Sequence, residues 1–150
     1  MEGKTSMNRV WLQRFLRIGC GGLFVWAGFI KLFNLELMIE DIEGYQIIPE
    51  VFVAPLALIL PSLEVVTGLA LALGRAEKGA LSILIVLMLV FTIALSSAWI
   101  RGLDITCGCF GSASFGSYTW WMLRDILILY ALGLLFWLTN NNALEALRRD

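Results

Sequence analysis

Two thiols one residue apart, in Asp104-Ile105-Thr106-Cys107-Gly108-Cys109-Phe110-Gly111, are the residues best suited to chemistry in this chain of 150 residues. A Cys-x-Cys disulfide closes a small, strained ring, and the intervening glycine allows backbone torsions that a bulkier residue resists. Strained, exposed disulfides are the exchangeable ones. A structural disulfide normally joins distant parts of a chain, where loop-closure entropy is gained, and this ring would join none. Thiol–disulfide exchange is therefore the leading reading. Two free loop thiols and a pair of soft metal ligands are the alternatives. The metal reading lacks ligands for a closed site, because the chain has no histidine and only one further cysteine, Cys20.

Cys20 falls in an apolar run toward the opposite end of its helix, where a small hydrophobic filler is expected. Gly19, Gly21, Gly22 and Gly28 around it predict close helix packing. Glu64 is the costliest residue if ionised, since it falls in the middle of a 24-residue apolar stretch, Val51–Gly74. Pro61, one turn earlier, removes a backbone hydrogen bond, so a polar opening around Pro61, Glu64 and Thr67 is expected. A protonated Glu64 bonded to a neighbouring helix is the structural alternative. Arg124, Asp125 and Lys31 are its candidate partners, with Lys31 placed too shallow by helical rise unless a kink brings the levels together. Arg124 and Asp125 could instead be interfacial charges, and Arg124 is read as the nearest cation that could favour a cysteine thiolate.

The elements that must position these groups follow from composition. Hydrophobic residues make up 59% of the chain and charged residues 15%, against about 25% charged in soluble domains. The apolar residues come in long blocks, which predicts membrane spans at about 12–33, 52–74, 79–100 and 119–138. The first resembles a signal peptide, but no small-residue cleavage pattern follows it, so an uncleaved helix is expected. A net charge of −1 offers no surface for nucleic acid.

The N-terminal segment through Arg17, the Arg75–Lys78 turn and the Arg148-Arg149 tail hold eight of the eleven basic residues. By the positive-inside rule both termini are cytoplasmic, and the 34–52 and 101–118 connections, with both cysteines of the pair, face outward. Within 34–52, Leu35, Met38, Ile39 and Ile42 recur at helical spacing opposite Glu36, Glu40 and Glu43, predicting a short outer-surface helix ended by Gly44. Trp99, Tyr118, Trp120 and Trp121 toward one side and Trp11 and Trp137 toward the other read as aromatic belts. The expectation is an all-α, integral membrane four-helix bundle forming a single domain over 1–150.

With these residues in place the sequence resembles the MauE/DoxX group of redox-associated membrane proteins, and its MauE branch in particular. The resemblance rests on Arg17-Ile18-Gly19 through Ala27-Gly28-Phe29-Ile30-Lys31-Leu32, on Gly44-Tyr45-Gln46-Ile47-Ile48-Pro49, and on Leu60-Pro61-Ser62-Leu63-Glu64 with Gly68. Asp104 through Gly111 and Leu123-Arg124-Asp125 complete it. The resemblance implies a bundle in the bacterial cytoplasmic membrane that serves periplasmic disulfide chemistry beside a thioredoxin-like or thiol substrate protein, such as methylamine dehydrogenase during its maturation. The site residues are then Cys107 and Cys109, with Glu64, Arg124 and Asp125 in support. A partner thiolate would attack the disulfide, a mixed disulfide would form and the second cysteine would resolve it, or the same steps would run in reverse, the direction of electron flow being left open. Analogy with other membrane thiol oxidants makes a membrane quinone near Glu64 the electron carrier. Two rivals remain open: a soft-metal carrier of the mercury-transport kind, and a non-catalytic assembly subunit.

Overall fold

The computed structural model describes residues 2–103 and 118–147, with side chains described over 11–103 and most of 119–141. It consists of α1 (Glu2–Phe33), α2 (Leu35–Gly44), α3 (Glu50–Leu73), α4 (Glu77–Ile100) and α5 (Tyr118–Leu147), with no strand among the described residues. α1, α3, α4 and α5 each contain a segment long and apolar enough to cross a membrane: Trp11–Phe33, Glu50–Leu73, Glu77–Ile100 and Met122–Asn141. The protein is a multi-pass membrane protein. α1 and α5 run well past the spans expected from apolarity alone, because helix propensity continues through the polar flanks where hydropathy falls.

α1 and α3 share the most extensive interface. Glycine creates it. A Cβ on Gly21 would come within 2.6 Å of the Gly68 carbonyl oxygen and 2.8 Å of the Ala72 nitrogen, and one on Gly28 within 2.8 Å of the Pro61 carbonyl oxygen. Without side chains the two backbones approach closely, which is how helices associate in lipid, where apolar burial gives no advantage. Gly19 and Gly22, expected to pack likewise, have open space where a Cβ would stand. They lie on the other side of α1, so only half of the glycine cluster builds the interface.

The inward face of α3 is Val53, Ala57, Pro61, Glu64, Thr67, Gly68 and Leu71, a repeat of three and four residues that follows the helical period. The main core joins Phe24 of α1 and Leu71 of α3 to Leu81, Leu84 and Met88 of α4 and to Leu132 and Leu135 of α5. Cys20 is half-buried against it, as a filler should be.

α2 packs Met38 and Ile42 onto Val53 and Ala57 of α3 and leaves Glu36, Glu40 and Glu43 exposed, the amphipathic arrangement that the sequence predicts. The Arg101 Nη1 donates to the Tyr45 carbonyl at 2.8 Å. The connection after α2 and the end of α4 therefore occupy the same end of the bundle. At the opposite end Arg17 pairs with Glu77, and Gln13 Nε2 donates to Thr139 Oγ1 at 3.2 Å. Gly74, at φ 73°, ends α3 there, its N–H bonded to the Leu71 carbonyl. Trp11 and Trp137 are exposed toward this end, and Trp99 and Trp120 toward the other, consistent with belts at two interfaces.

Candidate functional site: a buried charge cluster among the spanning helices

Lys31 and Glu64 form an ion pair inside the bundle. Lys31 Nζ donates to Glu64 Oε1 at 2.7 Å and to Oε2 at 2.8 Å, and the two side chains are only 4% and 2% exposed. The ammonium also stands 4.8 Å from the centroid of the Phe91 ring of α4, so the ring's negative face shares the cation. Glu64 lies opposite Lys31 because α3 repeats inward at 57, 61, 64 and 68, and glycines let α1 approach that face.

Helical rise along α1 alone sets Lys31 too near the surface to reach Glu64, and the structure corrects this. Opposite Gly21 stand Gly68 and Ala72, and opposite Gly28 stand Pro61 and Val65. Extending that antiparallel register sets Phe33 beside about residue 58 of α3, roughly 10 Å of helix short of where α3 begins. α1 stops early, and α2 covers the remaining turns of α3 through Met38 and Ile42. Lys31 therefore stands opposite about residue 60, one turn outward of Glu64 and beneath α2, and its side chain, tilting toward the N-terminus of α1, reaches the carboxylate. Thr67, expected to join a polar opening, bonds its own helix instead: its hydroxyl donates to the Leu63 carbonyl at 2.6 Å.

α5 contributes Asp125, which is fully buried. Its Oδ1 accepts from Arg124 Nη2 at 3.0 Å and Nε at 3.2 Å, while its buried Oδ2 has no hydrogen-bond partner among the described residues. Lys31 is close enough to act electrostatically on this carboxylate. Arg124 and Asp125 thus pair with each other rather than with Glu64. Arg124 also lines an apolar groove of about 440 Å³ at the α1–α5 seam, with Leu23, Trp120, Leu127 and Ile128. Lys31, Glu64 and Phe91 bring together one residue from each of α1, α3 and α4, and Asp125 of α5 lies within electrostatic range of Lys31. Two cations and two carboxylates balance, which is how ionised groups persist in a low-dielectric interior.

Cys107 and Cys109 lie outside the described residues. Their segment leaves α4 just after Arg101 and enters α5 six residues before Arg124. Among the described residues no group of three or more histidine, cysteine or acidic side chains is arranged to hold a metal ion.

Residues 9–138 match the family model described as methylamine utilisation protein MauE. The chain belongs to the MauE family. It is 31% identical over 120 residues to the methylamine utilization protein MauE of Paracoccus denitrificans, an alignment covering 79% of this chain and 64% of that protein. It therefore spans under two thirds of that relative's length. No solved structure matches it. The matched region of this MauE-family chain contains the ion pair, Asp125, Arg124 and the Cys-Gly-Cys segment together.

Proposed function

We propose that this protein is a membrane thiol–disulfide oxidoreductase whose Cys107–Cys109 disulfide oxidises a thiol partner on the outer side of the bacterial cytoplasmic membrane. The observation that carries the reading is positional. In sequence the Cys-Gly-Cys pair falls between the end of α4, where Arg101 grips the α2–α3 connection, and the start of α5, and the spans hold a buried Lys31–Glu64 pair against Phe91 together with the Arg124–Asp125 pair. A buried ion pair adds little to stability in comparison with apolar packing, so its presence at the depth of the bilayer favours a working role.

The exchange balances as follows. A partner thiolate attacks one sulfur of the Cys107–Cys109 disulfide, the S–S bond breaks, and the other sulfur leaves as a thiolate. The partner's second thiol then attacks the mixed disulfide, giving an oxidised partner and a reduced Cys107/Cys109 pair. Arg101, six residues before Cys107, and Arg124, fifteen after Cys109, are the cations that flank the pair in sequence and could favour the thiolate that leaves. A thioredoxin-like protein or a multiply disulfide-bonded substrate fits this role, and methylamine utilisation is the process that the family's name gives.

The reading is tested by mixing the oxidised protein, reconstituted in vesicles, with a reduced thioredoxin-fold probe and following probe oxidation. Cys107→Ser and Cys109→Ser should each abolish it. Oxidation at the unsubstituted rate by both variants would refute the reading.

A further inference from the structure

Between α2, its exit loop and α4 lies a second cavity of about 250 Å³, lined by Ile42, Tyr45, Ile48, Leu60, Phe91 and Ala94 among others. We infer that this cavity holds one acyl chain of a phospholipid whose phosphate is bound by Arg101, in the leaflet at the α2 end of the bundle. This site is independent of the thiol–disulfide reading and would stand if that reading failed.

The lining selects a hydrocarbon chain. Nearly all of these side chains are apolar, so water would find almost no hydrogen-bond partner there, and an empty space would leave the wall atoms without dispersion contacts on one side. An apolar occupant is favoured, and the bilayer supplies one. Val90 and Ile93 also line the cavity and are 53% and 66% exposed on α4, a helix long and apolar enough to span the membrane. The cavity is thus open on a lipid-facing side. Its volume is below the range of about 300–1,000 Å³ for sites that enclose a whole small molecule, so it suits one limb of a ligand whose remainder stays in the bilayer.

Arg101 selects the head. It follows the last turn of α4, is exposed, and donates from Nη1 to the Tyr45 carbonyl at 2.8 Å, which ties the guanidinium to a residue of the cavity wall. Arg17, Lys31 and Arg124 are each ion-paired, whereas no carboxylate pairs with Arg101 among the described residues. The guanidinium has further N–H groups beyond the one on Tyr45, in the planar fork that matches a phosphate through parallel hydrogen bonds. Trp99, two residues earlier and 55% exposed, places this end of α4 at the headgroup level.

The spacing joins both contacts in one molecule. Ala94 and Val90 precede Arg101 by seven and eleven residues, hence by about 10 and 16 Å along the helix. The headgroup layer takes up about 5–8 Å on each side of a bilayer. A lipid with its phosphate on Arg101 therefore starts its chains above the cavity and runs one of them down through it. The larger groove at the α1–α5 seam lacks this combination, because the cation that lines it, Arg124, is already paired with Asp125.

The test uses the full protein in vesicles and two photoactivatable probes, a phosphatidylethanolamine with a diazirine midway along one chain and a diacylglycerol with the same chain. Adducts are mapped by mass spectrometry. The phospholipid should label residues 42–48 and 90–94 about fivefold more than the diacylglycerol does, the advantage that one interfacial cation confers. Arg101→Gln retains a donor for the Tyr45 carbonyl but not the charge, and should bring the phospholipid down to the diacylglycerol level. Ala94→Trp and Ile48→Phe, which fill the cavity, should each lower labelling by both probes at these residues about tenfold, while labelling at the exposed Val86 of the same helix stays unchanged. Equal labelling by the two probes in the unsubstituted protein, or equal loss of both in Arg101→Gln, overturns the phosphate contact. Labelling of 42–48 and 90–94 no stronger than at Val86, or persisting in both filled variants, overturns the chain site. Suppression of the phospholipid adducts by soluble glycerol phosphate would put a free phosphate on Arg101 and overturn the lipid assignment.

Discussion

Removing one member of the Lys31–Glu64 pair should destabilise the protein far more than removing both. At the observed contacts of 2.7 and 2.8 Å, taken as about 3.2 Å between charge centres, the attraction is about 5 kcal/mol at an effective dielectric of about 20. Much of that offsets desolvation, so the pair's net contribution is small, whereas a lone buried charge costs about 3–5 kcal/mol. Lys31→Met strands the Glu64 carboxylate, and Glu64→Leu strands the ammonium, softened by the contact with Phe91 at about 0.5–2 kcal/mol. Each single variant should lose about 3–5 kcal/mol, and Lys31→Met/Glu64→Leu should return to within about 1–2 kcal/mol of the parent. The assay is unfolding by sodium dodecyl sulfate in mixed micelles, followed by tryptophan fluorescence. Additive losses, with the double variant the least stable of the set, would refute the paired geometry. If the double variant folds but no longer sustains multiple turnovers, the pair serves the reaction rather than the fold.

The glycine contacts predict a contrast within one helix. Gly21→Ala, whose Cβ meets backbone atoms of α3 at 2.6 and 2.8 Å, should lose about 1–3 kcal/mol by overpacking. Gly22→Ala meets nothing within 4 Å and should be neutral or gain up to about 1 kcal/mol from helix propensity, with thermal unfolding of the two variants as the measurement. Arg101→Ala removes the bond to the Tyr45 carbonyl, which should cost about 1 kcal/mol and speed amide hydrogen exchange across 45–49, while exchange in α4 below residue 95 stays unchanged.

The spans and the short acidic helix were legible because each leaves a strong pattern: long uncharged blocks for α3 and α4, and apolar residues at 35, 38, 39 and 42 for α2. Which face of each span turns inward was not. In lipid the outward face is as apolar as the core, so Leu71 and Leu69 look alike in sequence, although one is fully buried and the other half exposed. Only Gly21, Gly28, Pro61 and Glu64 marked the contact side of α1 and α3, and Gly19 and Gly22 were false signals of the same type. Glu64 was legible as an anomaly, but its partner was not, because the depth of Lys31 depends on how far α1 reaches. That reach is set by the turn at Asn34 and by α2 packing on Val53 and Ala57, a tertiary fact. A basic residue followed within three positions by a helix-ending asparagine and an amphipathic segment was the available clue.

Trapping decides whether Cys107 and Cys109 exchange disulfides with a partner. Cys109→Ser, expressed in native membranes and quenched with acid and alkylating agent, should accumulate a mixed disulfide through Cys107, visible as a higher band that dithiothreitol collapses. The attached protein should be a thioredoxin-like protein or a disulfide-rich substrate. The adduct should be lost when both cysteines are replaced. Absence of any reducible adduct from Cys109→Ser and from Cys107→Ser alike, in membranes where the unsubstituted protein is active, would contradict it.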